Sequence, residues 1–368
     1  MLPYPIRALQ ERIRAAAAEH QTLRIVGHGS KDFWGAAPAG EPLSTRELSG
    51  IGAYEPSELV VTVGAGTPLV ELEAALAQCG QVLAFEPPRL GPPERSGTVG
   101  GMVASGLAGP ARLASGGVRD HVLGVQLLNG RAELLRFGGT VMKNVAGFDV
   151  SRVMAGSWGA LGLLVEVSLK VLPQAPAQRT LCFELTQAQA LAQLVRWSSQ
   201  ALPLQASAWE QGVLRLRLAG AAAAVQTAAA RLGGDSLPEA QASAYWQSLR
   251  DQQHPWFEQA CAAADAGAQL WRLSLPPGTA ELPLEAATLL EWHGCQRWLL
   301  LPPTQAPAPA LQALAASLGG QATLYRCSDR SLRRAQPLGA VELRLQQNLL
   351  EAFDPDRVFH AGRLHDEL

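Results

Sequence analysis

The chain has 368 residues, too many for one ordinary hydrophobic core, so two domains are expected. Its 30 lysines and arginines stand against 32 acidic residues, a net charge of -2, so no global field draws it to nucleic acid. The five cysteines (Cys79, Cys182, Cys261, Cys295 and Cys327) are odd in number and widely spaced, which excludes iron–sulfur or structural zinc spacing and fits free thiols in a reducing compartment.

The opening MLPYPIRALQERIR holds no apolar signal core, and the longest apolar run, LGLLVEVSLKVL, is broken by Glu166 and Lys170. The final HDEL spells a secretory retention address, which without a signal core is a chance match. The expectation is a cytoplasmic chain with no direct membrane span.

Residues 6–19 carry a helical apolar pattern. A strand from Leu23 to Val26 then enters the turn Gly27–Lys31, whose successive amides suit an anion nest for a pyrophosphate. It is neither a Rossmann fingerprint nor a nucleotide-triphosphate loop, since the third glycine and the GKS or GKT are missing. Leu59 to Val63 is a strand, Thr67 caps a helix over Pro68–Gln78, and Gln81–Phe85 is a short strand. Thr98 through Ser105 starts a helix whose first amides, Val99 to Gly101, are expected to face a ligand. Leu113–Arg119 is a glycine-containing loop.

Strands His121–Leu128 and Ala132–Phe137 form a hairpin around Asn129-Gly130. Lys143–Gly147 is a polar turn, with Lys143, Asn144 and Asp149 as local caps. Phe148–Met154 is a short helix, Gly156–Gly159 a turn, and Leu161–Leu172 a long strand. After the Pro173–Pro176 linker two rounds of strand and helix follow: a strand at Thr180–Glu184, a helix at Gln187–Ser199, a strand at Val213–Leu218, and helices at Ala219–Leu232 and Ala240–Arg250. Then come Leu270–Leu275, a helix around Leu282–Glu291, Gln296–Leu300, a helix at Pro309–Leu318 and Ala322–Tyr325. This alternation predicts a ferredoxin-like α+β layer. Val341–Phe353 is helical. The expected divisions are 1–175, 178–340 and 341–368.

The stretch KNVAGFDVSRVMAGSWGALGLLVEVSLKVLP, with the GHGS loop and GTVGG segment before it in the right order, resembles the FAD-binding domain of the vanillyl-alcohol oxidase and D-lactate dehydrogenase family. The likeness covers most of residues 20–175 and returns at 342–363. Within that family the chain is similar to the FAD-binding subunits of three-subunit bacterial glycolate oxidases. The resemblance implies an α+β fold: a two-part PCMH-type FAD-binding domain followed by a ferredoxin-like α+β cap-type domain. It implies FAD contacts by Gly27, His28, Gly29, Ser30 and Lys31, then by Thr98, Val99, Gly100, Gly101, Ser105 and Gly106. Gly116 and Asp120 resemble the segment passing the isoalloxazine and ribityl region. Gly156, Ser157, Gly159, Gly162 and Leu163 resemble the turn and strand near the adenine side. The tail FDPDRVFHAGR resembles the family ending, with His360-Ala361 in place of the usual Asn-Pro, and Arg363 is not counted among the contacts.

The implied partners are a homologous catalytic FAD subunit and an iron–sulfur subunit, with a small 2-hydroxy acid oxidised at the level of the complex. Peripheral location at the inner membrane, through those partners, follows from the same likeness. The chain lacks the family's Gly-His-x-Gly-Asp-Gly-Asn-x-His stretch, so no metal set and no catalytic residue is assigned. His254, His293 and His360 stand alone in sequence, and His254, beside Pro255-Trp256, is the best candidate base. His28 and His121 lie inside the flavin motifs, as turn or loop packing residues with covalent flavin attachment as the alternative. Arg89, Arg95, Arg112 and Arg119 are candidate anion holders. Two other readings stay open: a self-sufficient FAD-dependent dehydrogenase of 2-hydroxy acids or alcohols, and a non-catalytic assembly subunit with a relict flavin fold.

Overall fold

The computed structural model describes residues 5–140, 149–302, 308–359, 362–365 and 367–368. Lys143, Asn144 and the turn expected at 143–147 lie outside them, as does His360. In chain order the elements are α1 (Ile6–Glu19), β1 (Leu23–Val26), β2 (Glu41–Ser44), β3 (Ile51–Glu55), β4 (Val60–Gly64), α2 (Leu69–Gln78), β5 (Gln81–Val82), α3 (Val99–Ser105), α4 (Arg112–Ser115), α5 (Val118–His121), β6 (Val122–Leu128), β7 (Leu134–Gly138), α6 (Val150–Val153), β8 (Leu163–Lys170) and β9 (Leu172–Pro173). They continue with β10 (Ala177–Glu184), α7 (Gln187–Ser198), β11 (Leu204–Glu210), β12 (Val213–Gly220), α8 (Ala222–Leu232), β13 (Asp235–Leu237), α9 (Glu239–Arg250), α10 (Pro255–Asp265), β14 (Gln269–Ser274), β15 (Ala287–Glu291), β16 (Gln296–Leu301), α11 (Ala308–Ser317), β17 (Gln321–Arg326) and α12 (Ala340–Phe353). Chain contacts divide them into two units. The first is Met1–Ala108, Gly116–Gln174 and Pro337–Leu368; the second is Gly109–Ser115 and Ala175–Gln336.

The first unit is built on an antiparallel sheet in the order β3-β4-β8-β6-β7. Strand β6, between β8 and β7, is buried along its whole length, because apolar elements cover both of its faces. Leu69, Leu72 and Leu76 of α2 and Val99, Met102 and Val103 of α3 pack with Val61, Val63 and Leu164 in one core. Leu9, Ile13 and Ala16 of α1 pack with Leu163, Val165 and Phe359 in another. Each fully buried Leu or Ile contributes about 1.5–3 kcal/mol, so this double covering fixes the sheet firmly. β1 pairs in parallel with β2, a strand not expected from the sequence, as β3 is not. Thr67 does not cap α2. Its hydroxyl instead accepts from the Gly50 amide at 2.9 Å, and Pro68 occupies the cap position.

The chain returns to this unit after α12. The Asp354 carboxylate accepts from the amides of Val358 and Phe359 at 2.9 and 2.7 Å, and the Leu23 amide donates to the Val358 carbonyl at 2.7 Å. The tail is thereby seated beside β1.

The second unit is one antiparallel sheet in the order β13-β10-β12-β11-β15-β16-β14-β17. Each half has the ferredoxin-like order, fourth-first-third-second, and β11 pairs with β15 to join the halves. The first half has both crossover helices, α7 and α8; the second keeps only α11. The helix expected around Leu282–Glu291 is absent, and Ala287–Glu291 is strand β15. Pro276, Pro277 and Pro283 interrupt the place where a helix would start, and pairing with β11 and β16 overrides the helix preference of Leu, Glu and Ala. β11 and α10 were also not expected, although Pro255 at the first helical position marks the start of α10. Trp246, Trp256, Trp271, Trp292 and Trp298 are all buried in this unit, so they serve its packing.

Candidate cofactor site

The site is built on the turn that follows β1. The Gly27 carbonyl accepts from Arg46 Nε at 3.1 Å, and the His28 carbonyl accepts from Arg95 Nε and Nη2 at 3.3 and 3.0 Å. Across a trans peptide the N–H points opposite to the carbonyl. The amides of His28 and Gly29 therefore face away from these guanidinium groups. Among the described residues the amides of His28, Gly29, Ser30 and Lys31 have no acceptor. A methyl group at Gly27 would overlap the Thr98 side chain, so only glycine lets the turn lie against α3. Gly29 has φ 69°, the left-handed region that favours glycine.

Gly27, His28, Gly29, Ser30, Lys31, Thr98, Gly101 and Ser105 line one cleft, together with Trp158 and Arg363. Lys31 is only 8% exposed. Its ammonium has no carboxylate partner among the described residues, and burial together with the Arg363 charge lowers its pKa to about 8. Arg363 is held by its own bonds to the Trp34 and Lys31 carbonyls, and its guanidinium lies 4.9 Å from the Trp158 ring centre. Trp158 has φ 55° and meets Trp34 edge-on at 5.0 Å. Four free amides and a buried Lys31 with no carboxylate partner among the described residues, beside an Arg363 that lies 3.7 Å from Asp32, fit the pyrophosphate of a dinucleotide.

Other expected contacts serve different roles. The amides of Val99, Gly100 and Gly101 do not face a ligand. They donate to the Thr67 carbonyl at 2.9 Å, the Ala65 carbonyl at 2.7 Å and Thr98 Oγ1 at 3.2 Å. This corrects the expectation for the start of α3: a buried amide takes the nearest acceptor, and here β4's end and the Thr98 cap supply them. Gly106 ends α3 in the left-handed region and lies against Gly156. Gly116 and Asp120 are not in the cleft; Asp120 accepts from the Gly117 amide at 2.8 Å and closes the first turn of α5. Gly156 and Ser157 line a separate apolar cavity with Leu349, Leu350 and Leu364 of the C-terminal part. Gly159 lies against Ile25, Gly162 abuts the Leu128 carbonyl where β8 begins, and Leu163 is in the α1 core.

His28 accepts from the Gly97 amide through Nδ1 at 3.3 Å, and burial followed by the charges of Arg46, Arg95 and Lys31 lowers its pKa. His121 is buried, bonded to the Lys170 carbonyl and packed on Phe85. His254 caps α10 through Nδ1 and contacts Glu210 through Nε2 at 3.2 Å, so both ring nitrogens are engaged and it is no free base. Burial lowers His293 to about 4, and its Nδ1 lies 2.8 Å from Ser207 Oγ. Arg89 pairs with Glu73 at 3.4 Å. Arg95 orients the turn. Arg112 groups with the second unit.

Among the described residues no helix is long and apolar enough to cross a membrane. A family model described as FAD binding domain matches residues 2–138. The chain is 41% identical over 362 residues to the glycolate oxidase subunit GlcE of Escherichia coli (strain K12), covering 98% of each. It is 29% identical over 173 residues to the glycolate oxidase subunit GlcD of Bacillus subtilis (strain 168), covering 46% of this chain and 36% of that one. It is 28% identical over 288 residues to a D-2-hydroxyglutarate dehydrogenase of Xanthomonas citri pv. viticola, covering 74% of this chain and 59% of that one. Among solved structures, an alkyldihydroxyacetonephosphate synthase matches with TM-score 0.62 and 14% identity, covering 97% of this chain and 76% of that one, which is a likeness of fold. With a FAD binding domain in its first half and 41% identity to that GlcE subunit over nearly its whole length, the chain belongs to the GlcE family of FAD-linked oxidoreductase subunits.

Proposed function

We propose that this chain is the FAD-binding subunit of a multisubunit glycolate oxidase, which converts glycolate to glyoxylate and passes electrons through partner subunits. The observation that carries it is the set of four acceptor-free amides beside the buried Lys31, in a chain alike to GlcE over nearly its whole length. Gly27–Lys31 holds the pyrophosphate, Lys31 and Arg363 balance its charge, and Arg46 and Arg95 keep the amides turned toward it. FAD bound there supplies two-electron oxidation chemistry. Of the remaining contacts expected from the family likeness, Gly156 and Ser157, which line the apolar cavity, belong to this reading as further cofactor positions, while Gly116, Asp120, Gly162 and Leu163 shape the backbone around them.

The partners are a homologous catalytic FAD subunit and an iron–sulfur subunit, through which the complex is peripheral to the inner membrane. Engagement of both His254 nitrogens favours a complex over a self-sufficient dehydrogenase, since it removes the best base candidate in the second unit. The test is purification from the native cell, with a flavin spectrum, identification of co-purifying chains and glycolate-driven bleaching. A complex that bleaches, with an isolated chain that holds FAD but does not turn over, is the expected result. Full turnover by the isolated chain would refute the division of labour, and a flavin-free chain in the native complex would refute the cofactor reading.

A further inference from the structure

A second set of cations lies within the second unit. Arg112 of α4 and Arg272 of β14 both stand over the ring of Trp292, at 4.7 and 5.3 Å from its centre. Neither has a carboxylate within 4.0 Å among the described residues. Arg272 donates through Nε to Gln296 Oε1 at 2.7 Å, and its two terminal nitrogens have no acceptor among the described residues. That leaves the fork of a guanidinium presented, with its plane set by Gln296 and the indoles of Trp292 and Trp298. The neighbouring acid, Glu291, has Oε2 engaged by Gln296 and Trp298 at 2.8 and 2.7 Å.

The backbone is strained to build this arrangement. Trp292, His293 and Gly294 are three successive left-handed residues, with φ 52°, 55° and 84°. For two residues with side chains that conformation is costly, and it persists only where the surroundings over-determine it. Here Trp292 Nε1 is fixed to the Gly109 carbonyl at 2.9 Å, which ties the indole to the segment carrying Arg112. Burial, and less so the Arg112 charge, act against the ionised Arg272, while Tyr325 and Glu291 favour it; an anion bound at the open guanidinium fork would add to that favourable side.

We propose that Arg112 and Arg272, stacked on Trp292, form a receptor for the carboxylate of a small 2-hydroxy or 2-oxo acid on this chain itself. The choice of acid rests on the glycolate oxidase reading; the anion site does not. The FAD-loaded full-length chain is titrated with carboxyl-13C-labelled glycolate, ethylene glycol and inorganic phosphate, read by ligand NMR line broadening. Saturable broadening is expected for glycolate and none for ethylene glycol, with glycolate affinity falling about tenfold or more in Arg112→Gln and in Arg272→Lys. Lysine keeps the charge but loses the fork, so Arg272→Lys tests geometry. Arg112 is exposed, so Arg112→Gln decides alone if the Arg272 variant fails to fold. No saturable glycolate binding, unchanged affinity in Arg112→Gln, or phosphate binding as tightly as glycolate would overturn the assignment. Absence of glycolate binding in the wild-type chain, while it still loads FAD and assembles with partners, would sink this inference and leave the subunit reading intact.

Discussion

Replacing Lys31 by methionine removes a buried ammonium and keeps most of the side-chain volume. Moving a lysine from its ordinary 10.5 to about 8 corresponds to about 3 kcal/mol held against its charged form in the cofactor-free protein. Below pH 8 the folded and unfolded chains both carry the proton, so the whole cost is present. Between about 8 and 10.5 the unfolded chain keeps the proton that the folded one has lost, so wild-type stability rises with pH across that window. A bound pyrophosphate reverses the balance, because its charge favours the ammonium. FAD affinity is then highest below pH 8 and falls above it, by up to about tenfold per pH unit.

In Lys31→Met the FAD-free protein is expected to be more stable than wild type at pH 7 by up to about 3 kcal/mol. Its FAD affinity at pH 7 is expected to fall by about 2–4 kcal/mol, the loss of a buried charge pair, and to lose this pH dependence. Urea unfolding of the FAD-free chains and FAD titration from pH 7 to 10 measure both arms. An unaltered FAD dissociation constant in Lys31→Met, or the same pH profile as wild type, would refute the assignment of Lys31 to the phosphates.

Gly27→Ala places a methyl where Thr98 stands and should cost about 1–3 kcal/mol of first-unit stability together with FAD retention, read by thermal melting and flavin absorbance. Arg95→Ala frees the His28 carbonyl, and FAD affinity should drop about tenfold while the melting temperature of the FAD-free chain changes little. His254→Ala uncaps α10 and leaves Glu210 short of a partner, so about 2–3 kcal/mol of stability is lost with FAD binding unchanged; a flavin-reduction defect in a variant that stays folded would restore His254 as a base. Thr98→Ala should cost about 1 kcal/mol through the lost α3 cap, again by urea unfolding.

Much of the fold was legible because it rests on local patterns. The apolar periods of α1 and α2, the hairpin at Asn129-Gly130 and the two rounds of strand and helix are short-range signals, and each has a counterpart in the structure except the helix expected around Leu282–Glu291. β2, β3 and β11 carry no clear strand pattern because they are short or hold Pro, Gly, Gln and Ser, and pairing with β1, with β4, and with β12 and β15 defines them. β15 was misread because Leu, Ala and Glu favour helix wherever no neighbour competes. Arg363 entered the cleft only through the tail's return beside β1, which a departure at His360-Ala361 had obscured.

The amino-acid order by itself determined that glycine turns at 27–31 and 97–101 follow apolar segments in the sequence proper to this family. Only the tertiary structure decided which amides are free. The carbonyls of Gly27 and His28 are drawn off by arginines 19 and 67 residues away, while the glycine amides that open α3 are consumed by Ala65 and Thr98. It likewise brought Arg112 and Arg272 to one indole. A backbone N–H or a guanidinium is the same group in any chain, and what it binds depends on acceptors that folding carries to it from elsewhere.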